Sequence, residues 1–425
     1  MMDLLRRVTP GEIDRLVRPP VDEATLEAAG KIVADVRTNG ARAVREHAER
    51  FGERVPGDPL VLGHIEMAAA LTRIDDDDRM ALERASSRIM SFARAQRGSI
   101  AELSMPIPGG RAGHTVEPVR SAGCYAPGGR YPLPSSVLMT AIAARAAGCE
   151  RVVVASPNAS DAMLAAAAIA GADEFLAVGG AHAVSALAYG FKDGGSGFER
   201  VDVIAGPGNK FVTAAKQIVS GVVGIDMLAG PSELLVLADG SADPAVVAAD
   251  LLAQAEHDAD AVPMLVTTDA GLSGSVQQEL GKQLAELATR ETAQRALTNG
   301  FVCVCGSLAE AIEVTDRIGP EHLEIMTADA EAVAARVRNA GACFVGARTA
   351  EVVGDYGAGP NHTLPTGGTA RFQAGLSVMD FLRLRTWIRL DDQPTDAGGA
   401  LLADTVRLAE MEGLAGHAAS ARKRM

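Results

Sequence analysis

The chain has 425 residues, 48% of them hydrophobic, which is enough for two domains with separate cores. Its 54 acidic and 40 basic side chains give a formal net charge of −14, and such a surface repels nucleic-acid phosphates. No apolar run approaches the roughly 20 residues of a membrane-spanning helix, and no secretory leader follows Met1. We therefore expect a cytoplasmic protein with neither a nucleic-acid nor a membrane partner.

The first quarter of the chain is patterned for helices. Residues 1–21 mix polar and apolar side chains around a Pro-Pro pair, so we expect an arm there. From residue 21 to about residue 102 the apolar positions recur at helical spacing.

Beyond Val116 the pattern becomes one of strands alternating with Ala-rich helices. This alternation is typical of an α/β protein with largely parallel sheets, whose strands are covered by helices on both faces. Gly/Pro-rich stretches at 123–134 and 229–232 are the best candidates for domain boundaries. The strand-like runs are residues 151–156, 175–180, 201–206, 234–239, 263–269 and 301–305.

A glycine-rich turn, AGPGNKF (205–211), follows one of these strands and opens a helix. Ligands of open α/β sheets gather at the carboxyl ends of strands, where glycines let backbone amides approach an anion. A tight turn without a ligand explains this segment equally well. The GxGxxG dinucleotide fingerprint does not occur in the chain, so no motif by itself indicates NAD.

Two short motifs carry groups suited to metal binding and proton transfer. Gln254 and His257 are three residues apart at the end of a predicted helix, hence on one face. Glutamine is an unusual zinc ligand, and polar residues at a helix end are the simpler interpretation. Glu321 and His322 follow a Gly-Pro break, and a carboxylate beside an imidazole is a natural proton-handling pair near neutral pH.

The densest signal is GDYGAGPNHTLPTGG (354–368), which holds Asp355 and His362 in a segment rich in glycine and proline. An irregular turn with a capping aspartate is the alternative. Near the end of the chain, Glu412 and His417 are five residues apart and do not share a helical face, so a surface helix explains them equally well.

Taken in order, these strings resemble the histidinol dehydrogenase family over nearly the whole chain. The most specific are GPGNKFV, IDMLAGPSELLV, LLAQAEHD, GPEHLEI and GDYGAGPNHTLPTGGTARF. The resemblance implies two Rossmann-like parallel-sheet domains with small N- and C-terminal appendages.

The expected division begins with an arm over residues 1–21. A first α/β domain, formed by 22–124 and 233–380, would carry the metal and catalytic residues. A second, over 125–232, would bind NAD, and 381–425 would form a dimerisation appendage.

The resemblance also implies roles for individual residues. Zn²⁺ would be held by Gln254, His257 and Asp355, with His417 supplied by the partner in a homodimer. The substrate L-histidinol would contact these four residues together with Ser232, His322, His362 and Glu412. NAD would contact Tyr125, His182 and Asn209, although the family usually has glutamine at the position of His182.

The implied reaction is the NAD-dependent, four-electron oxidation of L-histidinol through L-histidinal to L-histidine, the last two steps of histidine biosynthesis. His322 would be the general base and Glu321 would activate the water that hydrates the aldehyde. Three alternatives stay open: a related dehydrogenase of another small alcohol such as sulfopropanediol, a zinc hydrolase, and a non-catalytic binding protein. Mn²⁺ could replace zinc in a nitrogen and oxygen site.

Overall fold

The computed structural model describes residues 4–15, 21–128, 132–193, 196–393 and 395–425. Three short 3₁₀ helices lie at Pro10–Arg15, Thr369–Arg371 and Val378–Phe381. The α-helices of the described ranges are α1 (Glu23–Asn39), α2 (Ala41–Arg50), α3 (His64–Ala70), α4 (Asp76–Gly98), α5 (Pro134–Ala147), α6 (Asp161–Ile169), α7 (Gly180–Tyr189), α8 (Lys210–Val219), α9 (Pro244–His257), α10 (Ala270–Glu286), α11 (Arg290–Leu297), α12 (Leu308–Ile318), α13 (Ala330–Ala334), α14 (Glu351–Tyr356), α15 (Asp396–Met411) and α16 (Ala415–Arg422).

The strands of the same ranges are β1 (Arg6–Val8), β2 (Val61–Leu62), β3 (Leu103–Ile107), β4 (Gly110–Pro118), β5 (Ser121–Tyr125), β6 (Arg151–Ala155), β7 (Glu174–Leu176), β8 (Phe191–Asp193), β9 (Ser196–Phe198), β10 (Val203–Ala205), β11 (Gly224–Ile225), β12 (Glu233–Ala238), β13 (Val262–Thr267), β14 (Phe301–Val304), β15 (His322–Met326), β16 (Ala342–Val345) and β17 (Leu382–Leu390).

Two six-stranded sheets dominate the fold. Sheet I has the order β1-β14-β13-β12-β15-β16, with every neighbouring pair parallel. Sheet II has the order β11-β10-β5-β6-β7-β2 and is parallel except for the edge strand β2. The predicted α/β class with parallel sheets is confirmed. The strand order β17-β4-β3 forms a small antiparallel sheet, and β8 pairs with β9.

Helices cover both faces of sheet II because its strands are apolar on both sides. In β6, Val152 and Val154 belong to one buried cluster, and Val153 and Ala155 to the other. This alternation is the period of two that a strand imposes on its side chains. Sheet I is likewise covered by two clusters.

Two of the expected segment assignments are wrong. Residues 22–124 were assigned to the first domain, but their strands β2 and β5 pair within sheet II. Helix α1 packs on α7 and α8, on one face of that sheet. Residues 1–21 were expected to be an arm, yet β1 is an edge strand of sheet I. Leu5 and Ile13 on either side of it are fully buried, which anchors this segment.

The carboxyl-terminal residues form an appendage. Strand β17 pairs along the full length of β4, and α15 and α16 pack on each other. Gly413, with a φ of 74°, separates α15 from α16. Among the described residues, no helix combines the length and apolar content needed to cross a bilayer.

Candidate active site

One cleft of about 1670 Å³ lies between elements of the two sheets. From sheet II it receives segments that follow the carboxyl ends of β5, β6, β7 and β10. From the other side it receives the end of α9 and residues of the short helix α14. The predicted residues in its lining are Tyr125, His182, Asn209, His257 and Asp355.

On the sheet II side, tight main-chain packing fixes the positions of the predicted NAD contacts. The hydroxyl of Tyr125 accepts a hydrogen bond from the backbone nitrogen of Gly180 at 3.0 Å, where α7 begins. Gly206 has a φ of 121°, and any side chain there would collide with the carbonyl of Tyr125. The carboxyl ends of β5 and β10 therefore come together only because residue 206 is glycine.

His182 is buried and held by a carboxylate. Its Nε2 lies 2.8 Å from Oε2 of Glu53, which also accepts a hydrogen bond from the backbone nitrogen of Gly179. The ring of Phe51 stacks on His182 with centroids 5.7 Å apart. Nδ1 of His182 is buried with no hydrogen-bond partner among the described residues, so it has an unused hydrogen-bonding position.

Asn209 lies just before α8 and is already engaged as its cap. Its side-chain oxygen accepts hydrogen bonds from the backbone nitrogens of Phe211 and Val212. Asn209 lines the cleft, and the cap of α8 uses only its side-chain oxygen.

Across the cleft, three metal-binding groups converge. One nitrogen of His257 and one oxygen each of Glu351 and Asp355 all lie within 4.8 Å of one another. Nε2 of His257 is 3.7 Å from Oδ2 of Asp355. Gln254, one helical turn before His257, is fully buried, and neither of its side-chain polar atoms has a partner in the described structure.

These residues fit a divalent metal. Leaving both polar atoms of a buried amide unpaired is costly, and coordination through the Gln254 oxygen would remove part of that cost. An imidazole, carboxylates and an amide oxygen form a nitrogen and oxygen donor set that suits zinc and also manganese.

Glu321 and His322 lie next to this cluster, at the amino end of β15. Oε2 of Glu321 accepts hydrogen bonds from Oγ of Ser232 at 2.7 Å and from the backbone nitrogen of Glu233 at 2.8 Å. Nδ1 of His322 is 3.0 Å from the backbone carbonyl of Glu233 and donates to it. Nε2 of His322 is buried without a partner in the described structure, so its lone pair can accept a proton.

Burial shifts the acid–base properties of this pair in complementary directions. Burial raises the pKa of Glu321 to about 8, against the lowering effect of its hydrogen bonds from Glu233 and Ser232. Burial lowers the pKa of His322, although the nearby Asp355 carboxylate opposes the change. The imidazole is therefore neutral near pH 7, which is the form a general base requires.

The remaining predicted substrate residues divide into two groups. Ser232 contacts Glu321, and Nδ1 of His362 is 3.0 Å from the backbone carbonyl of Asp355, so both lie at the site. Glu412 and His417 are exposed in the α15–α16 appendage, and neither lines the cleft. A single chain therefore does not bring these two residues to the others.

Sequence reasoning missed two residues of this site and misjudged one feature of sheet I. Glu351 lies four residues before Asp355, a spacing that indicates a shared helical face. Glu233 directly precedes the strand run predicted from residue 234, and its carbonyl orients His322. Reacting groups were expected at the carboxyl ends of strands, but in sheet I they lie at the amino ends of β12 and β15.

The fold and the site define an α/β protein in which metal-binding residues and glycine-rich strand ends border one cleft, with a proton-accepting histidine beside the metal-binding residues. The family model described as histidinol dehydrogenase matches residues 18–425. The chain belongs to the histidinol dehydrogenase family and is an NAD-dependent oxidoreductase.

Proteins of similar sequence and structure match this chain over nearly its full length. A histidinol dehydrogenase of Cereibacter sphaeroides is 45% identical, covering 93% of this chain and 90% of its own. One of Parasynechococcus marenigrum is 42% identical, covering 99% of this chain and 96% of its own. The crystal structure of histidinol dehydrogenase from Elizabethkingia anophelis superposes with a TM-score of 0.91 at 31% identity, covering 100% of this chain and 98% of that chain.

Proposed function

We propose that this protein is a zinc-dependent histidinol dehydrogenase that oxidises L-histidinol through L-histidinal to L-histidine, reducing two NAD. The observation that carries the proposal is the unpartnered, buried Nε2 of His322 beside the donor cluster of His257, Glu351 and Asp355. Membership of the histidinol dehydrogenase family supports the substrate, which combines an imidazole, an amine and a primary alcohol.

For the metal, we assign Gln254, His257 and Asp355 of one chain and His417 of its partner. Zinc bound there supplies a positive charge and open coordination positions for the substrate's imidazole and amine nitrogens. Glu351 adds negative charge next to these ligands, which favours a cation at this place.

In the first oxidation His322 would act as general base. Because Nδ1 donates to the carbonyl of Glu233, Nε2 is free to take the proton of the substrate hydroxyl. NAD⁺ bound in the cleft would accept the hydride of the carbinol carbon, which would leave the aldehyde. The predicted NAD contacts border the same cleft as His257 and Asp355, which supports hydride transfer within it.

The second oxidation requires water. Glu321, as the carboxylate, would take a proton from water as it adds to the aldehyde carbon, and the proton that His322 took from the alcohol would pass to the aldehyde oxygen, which completes the hydrate and leaves His322 neutral again. His322 would then accept a hydroxyl proton of this hydrate while a second hydride passes to a second NAD⁺, leaving the carboxylic acid. A carboxylate with a pKa of about 8 is a stronger base than an exposed glutamate, which suits this role.

We further propose that the active form is a homodimer with shared sites. Glu412 and His417 are exposed and distant in sequence from the other site residues, as expected if they act in the partner's cleft. The appendage also exposes large apolar side chains, with Ile388 76% and Met411 72% accessible. Apolar exposure of this kind marks a protein-contact surface.

The test is the stoichiometry of NADH formed from limiting L-histidinol, followed by absorbance at the NADH band. We expect two NADH for each histidinol and L-histidine as the product. One NADH per substrate would indicate a simple alcohol dehydrogenase, and none would contradict the proposal and favour a hydrolase. Propanol at the same concentration is the control, because it lacks both nitrogen groups.

A further inference from the structure

A buried ion pair lies beside the glycine-rich turn that follows β10, and the proposed mechanism does not use it. The side chains of Lys216 on α8 and Asp226 after β11 form this pair and are 2% and 0% exposed. The other lysines of the described ranges are all exposed. Because a lysine is rarely buried unless its charge is paired, the place of Lys216 in the fold depends on Asp226.

The pair binds both main-chain polar groups of Gly206. Nζ of Lys216 donates a hydrogen bond to the carbonyl of Gly206 at 3.0 Å, and the backbone nitrogen of Gly206 donates to Oδ2 of Asp226 at 2.7 Å. Oδ1 of Asp226 contacts Nζ of Lys216 and accepts a hydrogen bond from the backbone nitrogen of Met227 at 2.6 Å. Gly206, Lys216 and Asp226 thus form a closed ring of contacts, which we call the turn clamp.

Gly206 cannot fix the shape of this turn by itself. Its φ of 121° is accessible to glycine, but glycine is compatible with many other backbone angles, so contacts from outside must select this one. Apolar side chains in place of a buried ion pair often cost no stability. Here they would leave the N–H and C=O of the buried Gly206 without partners, so the polar pair has a specific use.

We propose that Lys216 and Asp226 are positioning residues of the cofactor site, which hold the turn over residues 206–209 in the shape that NAD requires. Asn209 ends this turn, begins α8 and lines the cleft. Tyr125, whose carbonyl lies against Gly206, lines the same cleft. The inference rests on the proposed function, because it takes this side of the cleft to be the NAD site.

The substitution Lys216→Met tests the turn clamp. Methionine keeps much of the length and the apolar body of lysine but removes the ammonium group, so the carbonyl of Gly206 loses its donor. Asp226 keeps its hydrogen bonds from the backbone nitrogens of Gly206 and Met227.

Two control variants separate this effect from general damage. Lys31→Met makes the same change at an exposed lysine of α1, a helix that packs on α8. Val36→Ala leaves a cavity in the buried cluster that covers the same face of sheet II, and Val36 makes no contact with the turn clamp through any recorded hydrogen bond. It should therefore lower Tm without changing the turn.

The experiment measures the Kd for NADH by fluorescence titration of each zinc-loaded dimer, the Tm by calorimetry, and the KM for histidinol. We expect Lys216→Met to raise the Kd for NADH at least about 10-fold, because a misplaced turn no longer fits the cofactor. Its KM for histidinol should stay within about twofold. Val36→Ala should lower Tm by several degrees with an unchanged Kd, and Lys31→Met should match the unmodified protein.

An unchanged Kd in Lys216→Met would overturn the inference, and so would an equal increase in Val36→Ala. If Lys216→Met does not fold, the double variant Lys216→Met/Asp226→Asn replaces it, since it leaves no buried charge unpaired. This double variant should also raise the Kd about 10-fold, and an unchanged Kd would contradict the inference. Failure of the unmodified protein to bind NADH would instead contradict the proposed function.

Discussion

The two large sheets face the cleft with opposite ends of their strands. In sheet II the cleft lies beyond the carboxyl ends of β5, β6, β7 and β10, where the predicted NAD contacts are found. In sheet I the reacting groups lie at the amino ends of β12 and β15, with His257 at the end of α9. Helices therefore begin at the cleft on one side and end there on the other.

This difference gives the two sides of the cleft opposite electrostatic character. Helices α7 and α8 begin at the cleft, and the partial positive charge at the amino end of a helix favours an anion such as a pyrophosphate. The last turn of α9 presents carbonyl groups, whose partial negative charge favours a cation near His257. One sheet is thus suited to the phosphates of a nucleotide, and the other to a metal ion.

The largest expected effect tests whether the catalytic residues lie on sheet I and whether the partner chain supplies His417 to the site. His322→Asn and His417→Asn should each lower kcat by at least about 100-fold, because one removes the proposed base and the other a proposed metal ligand. A mixed dimer, isolated with two different tags, should regain activity, since one of its two sites keeps both histidines. The measurement is kcat of the mixed dimer against the two variant homodimers.

A double variant provides the control. A mixed dimer of unmodified protein with a chain carrying both substitutions keeps no site with both histidines, if His417 acts in the partner's cleft. Substantial activity in that dimer would show that His417 serves its own chain. Unchanged kcat in His322→Asn alone would refute the base assignment.

An effect of intermediate size is expected on the pH dependence of the thermal stability of the metal-free protein, because sheet I contains buried acidic side chains. Burial and the neighbouring Glu321 carboxylate raise the pKa of Glu233 to about 8. An unfolded glutamate loses its proton near pH 4.5, so the folded state binds more protons between these values. Stability should therefore fall as the pH rises from 5 to 9, by several degrees in Tm as measured by calorimetry.

General charge repulsion also increases with pH, so the informative comparison is with Glu233→Gln. This variant lacks one of the raised carboxyl groups and keeps the same shape. Its Tm should depend less steeply on pH than that of the unmodified protein. Parallel Tm curves for the two proteins would show that Glu233 does not titrate in this range.

The smallest expected effect is on sheet II, at the position where the family usually has glutamine. His182→Gln introduces a side-chain amide that can donate one hydrogen bond and accept another. We therefore expect the Kd for NAD to fall by about two- to tenfold. The value of kcat should stay within about twofold, because the chemistry belongs to sheet I. Fluorescence titration with NADH and steady-state kinetics measure the two quantities, and a large loss of kcat would contradict this division of roles.

The sequence alone predicted the α/β architecture with parallel sheets. It did not predict which ends of the strands in each sheet face the cleft. Alternating apolar runs such as residues 151–155 predicted the parallel strands, because burial on both faces leaves a strong periodic signal. Strand β1 escaped prediction, because it has only three residues and two exposed arginines at a sheet edge.

For the site, spacing alone placed Gln254 beside His257 and Asp355 near His362, without indicating what they bind. Their assignment to zinc came from the resemblance, because a buried amide without partners is visible only in three dimensions. No local pattern reveals which end of a sheet will face a cleft, since that depends on how the two sheets pack. Glu351 could have been found by its spacing of four from Asp355.

The edge position of β1 determines when sheet I can be completed while the chain is synthesised. All six strands of sheet II lie between Val61 and Ile225, so this layer can assemble before the ribosome has finished the chain. Arg6 pairs with Phe301, close to three hundred residues downstream, so β1 cannot pair until most of the polypeptide has emerged. Pairing over so long a sequence separation is slow, so β1 is expected to join sheet I late in folding.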